Sequence, residues 1–110
     1  MRYALAVLML LAPGQAGAET QVLTKGYSCE RGVRIPAVYV NSADESVAVI
    51  NVEGRQIVLT RTEAASGVRY AWPADGSGYV WWTKGDEATL AWFDAEHSEE
   101  VTLYNNCAAD

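Results

Sequence analysis

The chain has 110 residues, and eight lysines and arginines against fourteen acidic residues give it a formal net charge of −6. This composition disfavours nucleic acids and anionic membrane surfaces as partners, because both are bound through clustered lysine and arginine. The length fits one small domain. The acidity favours a basic partner, drawn in by long-range attraction that weakens with salt.

The first eighteen residues have the layout of a cleavable secretory signal peptide. Arg2 precedes an apolar run, ALAVLMLLA at residues 4–12, and the small-residue stretch AGA follows at residues 16–18. The run is far shorter than the ~20 apolar residues that a membrane-spanning helix needs. Cleavage after Ala18 leaves one domain, residues 19–110, with seven basic and fourteen acidic residues and a net charge of −7. No cysteine at that site invites a lipid anchor, so we expect a soluble exported protein.

The chain contains two cysteines, Cys29 and Cys107, which bracket nearly the whole predicted domain. An oxidising compartment normally closes such a pair, so we predict a Cys29–Cys107 disulfide; two buried free thiols are the alternative. In the chain-entropy account, a loop of this length stabilises the fold by roughly 4 to 5 kcal/mol. A closed zinc site is not expected, because two cysteines and a single histidine supply too few ligands.

The hydrophobic pattern predicts eight short strands and no helix. Each is rich in β-branched and aromatic residues and is bounded by turn residues. The predicted strands are residues 24–29, 33–41, 46–52, 55–61, 67–72, 78–84, 88–93 and 100–105. Their short connections favour antiparallel hairpins, and we predict a closed eight-stranded β-barrel over a sandwich because closure removes exposed edges. Pro36 indicates an edge or a bulge, and residues 62–66 form either a helical turn or a loop.

Catalytic chemistry finds little support in the sequence. Catalysis normally needs a nucleophile beside a base, a placed pair of carboxylates or a metal. The one histidine, His97, lies in the acidic turn EHSEE with Glu96 and Glu99. A weak metal site there is the alternative to a solvated loop, which we favour because the spacing matches no closed site. We therefore predict a protein that is not an enzyme and that has neither cofactor nor metal.

Two loops stand out, SGVRY at residues 66–70 and TKG at residues 83–85. In a meander, the strand that starts at Gly67 pairs with the strand that ends at Lys84, so Ser66 and Lys84 should lie on the same rim. Each is followed by a glycine that lets the backbone turn sharply and present the side chain. Ser-Gly and Lys-Gly are also ordinary turn residues, and spacing alone does not decide between these interpretations.

Five features of the sequence belong together: SGVRY, the stretch YVWWTKGDEATL at residues 79–90, YSC at 27–29, VYVN at 38–41 and a cysteine near the C-terminus. In combination they resemble the MliC/PliC family of bacterial inhibitors of c-type lysozyme. The resemblance covers residues 27–107. It implies an eight-stranded antiparallel barrel with a disulfide. It also implies a function: two loops enter the active-site cleft of lysozyme, engage its catalytic carboxylates and so protect peptidoglycan.

The resemblance assigns the inhibitory serine to Ser66 and the inhibitory lysine to Lys84. The other implied lysozyme-binding residues are Gly67, Arg69 and Tyr70 in the first motif, and Tyr79, Thr83 and Gly85 in the second. The membrane-bound branch carries a cysteine at its cleavage site. This chain has none, so it resembles the periplasmic branch. Whether Arg69 contacts the partner or forms an ion pair within the fold stays open, while Tyr70 is expected to pack under the loop.

The four tryptophans, Trp72, Trp81, Trp82 and Trp92, raise a second hypothesis, a carbohydrate-binding module. Adjacent Trp81 and Trp82 must point to opposite faces of one strand. One of them should therefore be in the core, and the other should lie on the outer face or the rim, where it could frame an interface. The role of the turn at residues 73–78 and the oligomeric state do not follow from the sequence.

Overall fold

The computed structural model describes residues 19–72 and 76–110, so the predicted signal peptide and residues 73–75 lie outside the described residues. The eight strands are β1 (Gln21–Ser28), β2 (Arg34–Asn41), β3 (Ser46–Val52), β4 (Arg55–Thr62), β5 (Val68–Ala71), β6 (Gly78–Lys84), β7 (Glu87–Asp94) and β8 (Glu99–Ala109). A 3₁₀ turn, Glu30–Gly32, was not predicted. In the described part of the chain, no helix is long and apolar enough to cross a bilayer.

The strands form a closed barrel in which each pairs antiparallel with its neighbours in the sequence. Closure comes from β1 and β8, where Tyr27 faces Ala109 and Ser28 faces Ala108. The predicted all-β barrel is confirmed. Pro36 lies opposite Gly26 of β1, just before the β2–β3 ladder begins at Ala37. Its missing N–H therefore removes no hydrogen bond from that ladder.

Alternate connections of this meander share one end of the barrel. We call that end the rim; it is formed by the loops after β2 (residues 42–45), β4 (residues 63–67) and β6 (residues 85–86). The segment at 63–67 is a loop without a helical turn. The connections after β1, β3 and β7 lie at the opposite end. Topology alone thus brings the two motif loops together and adds a third loop, after β2, that was not among the predicted binding loops.

The core is built from the inward side of every strand. Its largest fully buried side chains are Trp81, Tyr27, Ile35, Ile50, Leu59, Leu90 and Cys107. The polar atoms of three buried aromatic residues satisfy one another: Trp81 Nε1 donates to the Tyr39 hydroxyl at 2.8 Å, and the Tyr27 and Tyr39 hydroxyls lie 2.7 Å apart. Burial raises the pKa of Tyr39 well above its ordinary value. These tyrosines therefore remain neutral hydrogen-bonding partners, as buried polar groups require.

The predicted disulfide is present. The sulfur atoms of Cys29 and Cys107 lie 2.05 Å apart, and the two residues are 78 positions apart in the sequence. It joins the segment just after β1 to β8, the two strands that close the barrel. Arg34 pairs with Asp110 at the same seam, and this hydrogen-bonded guanidinium lowers the pKa of the Asp110 carboxyl. The last strand is thus tied to the first part of the domain by covalent, ionic and backbone contacts.

Candidate functional site

Ser66 and Lys84 lie side by side at the rim, as predicted from the pairing of their strands. Val68 pairs with Thr83 as the last residue pair between β5 and β6. Ser66 comes two residues before Val68, and Lys84 is the last residue of β6, opposite Glu87. Both Ser66 and Lys84 are exposed. The rim therefore exposes two neighbouring residues, Ser66 and Lys84, whose side chains carry a hydroxyl and an ammonium group.

Gly67 makes this close approach of the two loops possible. Its φ of 68° lies in the left-handed region, and a Cβ atom there would lie 2.4 Å from the Thr83 carbonyl oxygen and 2.7 Å from Lys84 Cγ. Glycine alone adopts that conformation at little cost. The stem of Lys84 consequently packs directly against the Gly67 backbone, which sets where the ammonium can go.

We expect Gly67→Ala to destabilise the protein more than a glycine change of matched backbone conformation. Gly32 has φ 72°, and a Cβ on it would meet no atom within 4 Å, so Gly32→Ala carries the conformational cost alone. That cost is about 1 to 2 kcal/mol, and the steric overlap at Gly67 adds about 1 to 3 kcal/mol. Chemical denaturation of both variants measures the difference. Equal losses would contradict the packing described for Gly67.

Trp82 contacts both loops from the outer face of β6. Its indole Nε1 donates a hydrogen bond to the Ser66 carbonyl oxygen at 2.8 Å. The Lys84 ammonium lies 4.8 Å from the centroid of the Trp82 ring, within the range of a cation–π interaction. Trp81, its neighbour, is fully buried. The prediction that these two tryptophans occupy opposite faces is therefore confirmed.

Lys84 is a cation without an ion pair in the described part of the chain, on a rim that is mostly acidic. The second lysine, Lys25, pairs with Asp86 at 3.3 Å. The acidic residues of the rim and its immediate border are Asp44, Glu45, Glu63, Asp86 and Glu87. An open groove of about 570 Å³ separates the loop after β2 from the loop after β4, and three of these carboxylates line it. The groove is also lined by the exposed Arg61, so the rim has a second cation, but Lys84 is the one that lies beside Ser66.

Two of the other motif residues, Tyr70 and Thr83, lie beneath the rim. Tyr70 is 5% exposed and packs against Tyr39 with ring centroids 5.5 Å apart. Thr83 is 8% exposed, and its hydroxyl donates to the Val68 carbonyl oxygen at 3.4 Å. Tyr70 therefore packs below the first loop as expected. Gly85, by contrast, is exposed and has φ 60°, as the tight turn between β6 and β7 requires.

Arg69 and Tyr79 lie away from the exposed part of the rim. Arg69, on the outer face of β5, forms an ion pair with Glu100 of β8, so its guanidinium is engaged within the fold. Tyr79 lies near the opposite end of β6, five residues before Lys84, a separation of about 17 Å along a strand. It packs edge-to-face on Trp92 with centroids 5.0 Å apart. The structure thus groups Ser66, Gly67, Lys84 and Gly85 and leaves Arg69 and Tyr79 outside that group.

His97 lies at the end opposite the rim, where its Nδ1 is 2.7 Å from an Asp94 carboxylate oxygen. Asp94, Glu96 and His97 come within 4.8 Å of one another, in a turn that is mostly exposed. The acidic neighbour that contacts the histidine is thus Asp94, in place of the Glu99 considered from the sequence. Exposed acidic groups of this kind are common, and the arrangement needs no ion to explain it.

These features define a class: a small, disulfide-linked antiparallel barrel that presents a cation and a hydroxyl on an acidic loop rim. Residues 27–99 match the family described as membrane-bound lysozyme-inhibitor of c-type lysozyme, MliC. The chain belongs to this family. The predicted resemblance to this family is thereby confirmed over most of the predicted domain.

Two relatives, each named membrane-bound lysozyme inhibitor of C-type lysozyme, match in sequence. The protein from Cupriavidus necator is 40% identical over 80 residues, covering 72% of this chain and 61% of the relative. The protein from Pseudomonas aeruginosa is 39% identical over 82 residues, covering 74% and 60%. The chain therefore spans about three fifths of the length of these relatives.

Two solved structures share the fold. Pseudomonas aeruginosa MliC, crystallised in complex with hen egg white lysozyme, superposes with a TM-score of 0.64 at 31% identity, covering 98% of this chain and all of that one. PliC-St, the periplasmic lysozyme inhibitor of C-type lysozyme from Salmonella typhimurium, superposes with a TM-score of 0.68 at 23% identity, covering 82% and 99%. The second likeness supports the barrel fold alone.

Proposed function

We propose that this protein binds c-type lysozyme and inhibits it by placing the rim in the active-site cleft, with Ser66 and Lys84 at the catalytic carboxyl groups. The observation that carries the proposal is the exposed Lys84 ammonium, without an ion pair in the described residues, beside Ser66 on an acidic rim. Family membership supports it, as does the structure of a relative in complex with hen egg white lysozyme.

The chemistry of the target explains this pair of side chains. Lysozyme holds one carboxyl group protonated in an apolar pocket and keeps a second one ionised nearby. A serine hydroxyl can both accept and donate a hydrogen bond, so Ser66 suits either carboxyl group. The ammonium of Lys84 suits the ionised group, and the attraction is strong where water is excluded. One hydroxyl and one cation therefore complement both groups at once.

The surrounding charge has a separate role in the proposed complex. The carboxylates at the rim, from Asp44 to Glu87, face outward around Lys84 and attract a basic protein over a distance. Such attraction raises the association rate and fades with salt, whereas buried contacts govern the dissociation rate. A single cation thus acts at the catalytic carboxylate without cancelling the attraction of the whole domain.

The location and the catalytic status belong to the same proposal. Residues 1–18 are proposed to be a signal peptide that is removed on export, leaving residues 19–110 free in the periplasm. Both sequence relatives are named membrane-bound inhibitors, and the structural neighbour PliC-St is named a periplasmic one. The domain is proposed to have no enzymatic activity of its own and to act by occupying the cleft of its partner.

We expect the purified domain, with its disulfide intact, to inhibit a c-type lysozyme in a cell-wall lysis assay. Ser66→Ala should weaken inhibition while the melting curve stays normal, because Ser66 contributes its carbonyl oxygen, not its side chain, to the bond from Trp82. Titration with chitooligosaccharide alone should leave tryptophan fluorescence unchanged. A folded protein that fails to inhibit while its fluorescence responds to the sugar would favour the carbohydrate-binding alternative.

A further inference from the structure

Trp82 touches both loops of the proposed inhibitory site, although its own side chain is half-buried on the outer face of β6. We propose that Trp82 is a positioning residue that holds Ser66 and Lys84 in the arrangement that binds lysozyme before the partner arrives. This inference rests on the proposed function. It concerns how the site is organised in the free protein.

The first contact fixes the loop after β4. The Trp82 indole N–H donates to the Ser66 carbonyl oxygen at 2.8 Å, so the backbone of Ser66 is hydrogen-bonded to β6. Gly67 lies close to the same indole, since a Cβ on it would fall 3.0 Å from Nε1. A tryptophan N–H is a donor only, so it matches a free loop carbonyl. The bond therefore sets the position of the exposed Ser66 hydroxyl through the backbone.

The second contact fixes the lysine. Lys84 is held at two points along its length, because its Cγ packs against Gly67 and its ammonium lies 4.8 Å from the Trp82 ring centroid. A free lysine loses much rotamer entropy when it binds, and pre-ordering lowers that loss. A cation on an aromatic face also keeps its charge and most of its donors available. Lys84 is thereby pre-ordered and still able to pair with a carboxylate.

Arg69 also lies within cation–π range of the Trp82 ring, but its charge is paired elsewhere. Its guanidinium carbon is 5.9 Å from the Trp82 ring centroid, farther than the Lys84 ammonium, and it forms an ion pair with Glu100. Among the described residues near the indole, Lys84 is therefore the cation that remains free to pair with a partner. Arg69 also pairs with Trp82 in the β5–β6 ladder, so the two residues are neighbours on the outer face.

Two substitutions separate the two contacts. Trp82→Phe keeps an aromatic face for Lys84 but removes the N–H donor, and Trp82→Leu removes both while keeping an apolar side chain. We expect the Kd for a c-type lysozyme to rise about threefold for the first and about tenfold or more for the second. Trp92→Phe is the matched control, because Trp92 is also half-buried but packs on Tyr79 away from the rim. Its Kd should equal that of the wild type.

A double-mutant cycle tests whether Trp82 acts through Lys84. If it does, Trp82→Leu should weaken binding less in a Lys84→Ala background than in the wild type, since part of its effect is already lost. Equal losses in both backgrounds would overturn the inference and make Trp82 a direct contact. A Kd for Trp82→Leu within the error of the wild type would overturn it as well.

A further test uses the free wild-type protein, so it needs neither lysozyme nor a substituted variant. In NMR spectra of the wild type, the ε-methylene protons of Lys84 should be shifted upfield by the indole ring current relative to those of Lys25. The Trp82 indole N–H should also exchange slowly with solvent. Unshifted protons with a fast-exchanging indole N–H would overturn the inference even if the protein inhibits lysozyme. A failure to inhibit with these signals intact would count against the proposed function alone.

Discussion

Lys84→Ala is expected to weaken binding to a c-type lysozyme by about 2 to 5 kcal/mol, through a faster dissociation rate. In the proposed complex, the variant leaves a lysozyme carboxylate buried without its partner, and that desolvation accounts for much of the loss. The thermal stability should stay near that of the wild type, because Lys84 is exposed and takes part in no ion pair within the described ranges. Surface plasmon resonance and calorimetry measure the two quantities.

The matched control for Lys84→Ala is Arg55→Ala, which changes the net charge equally at the opposite end of the barrel. Arg55 is exposed and begins β4, far from the rim. Its removal should alter the association rate slightly and leave the dissociation rate unchanged. Lys25 is a poorer control because its loss would free Asp86, two residues from Lys84. If the two variants changed Kd equally, net charge and not the local cation would explain binding.

Replacing both cysteines with alanine is expected to lower the free energy of unfolding by roughly 4 to 5 kcal/mol in the chain-entropy account. The disulfide links residues 78 apart, so its removal restores conformational freedom to most of the unfolded domain. Small domains have about 5 to 15 kcal/mol of stability in total. The variant should therefore be only marginally folded at room temperature, which urea denaturation followed by circular dichroism can quantify.

Reduction of the wild type provides the control for the cysteine variant. Wild-type protein reduced in urea and kept reduced by a thiol reductant should unfold at about the same low denaturant concentration as the Cys29→Ala, Cys107→Ala double variant. Both sulfurs are buried, at 8% and 0% exposure of their residues, so reduction of the native protein should be slow. A loss below about 1 kcal/mol would show that residual structure in the unfolded chain, and not loop closure, dominates.

Strand positions were predictable because each strand combines β-branched residues with an alternating pattern and ends at turn residues. Strands β3 and β6 have the predicted bounds, Ser46–Val52 and Gly78–Lys84. Strand β8 runs four residues beyond the predicted end, to Ala109. Its later part pairs near the barrel closure, and Asn106, with φ 50°, interrupts the regular pattern. Long-range pairing of this kind leaves little local signal in the sequence.

The candidate site was predictable in part. The meander placed Ser66 beside Lys84 because neighbouring antiparallel strands share their ends. The contribution of the loop after β2, with Asp44 and Glu45, follows from the same rule, since alternate loops of a meander lie at one end. The stacking of Lys84 on Trp82 was not predictable. It depends on how the lysine side chain leans along the strand, whereas the two-residue alternation fixes only the face to which a side chain points.

The disulfide also determines what a single proteolytic cut can do. A break in the exposed loop at residues 42–45 or at residues 63–67 lies between Cys29 and Cys107, so the two fragments stay covalently joined. Each fragment keeps strands that are hydrogen-bonded to strands of the other across the closed sheet. A nicked molecule is therefore held together and can retain its barrel. At the proposed periplasmic location, where proteases would meet the folded domain, the covalent link gives resistance to fragmentation as well as stability.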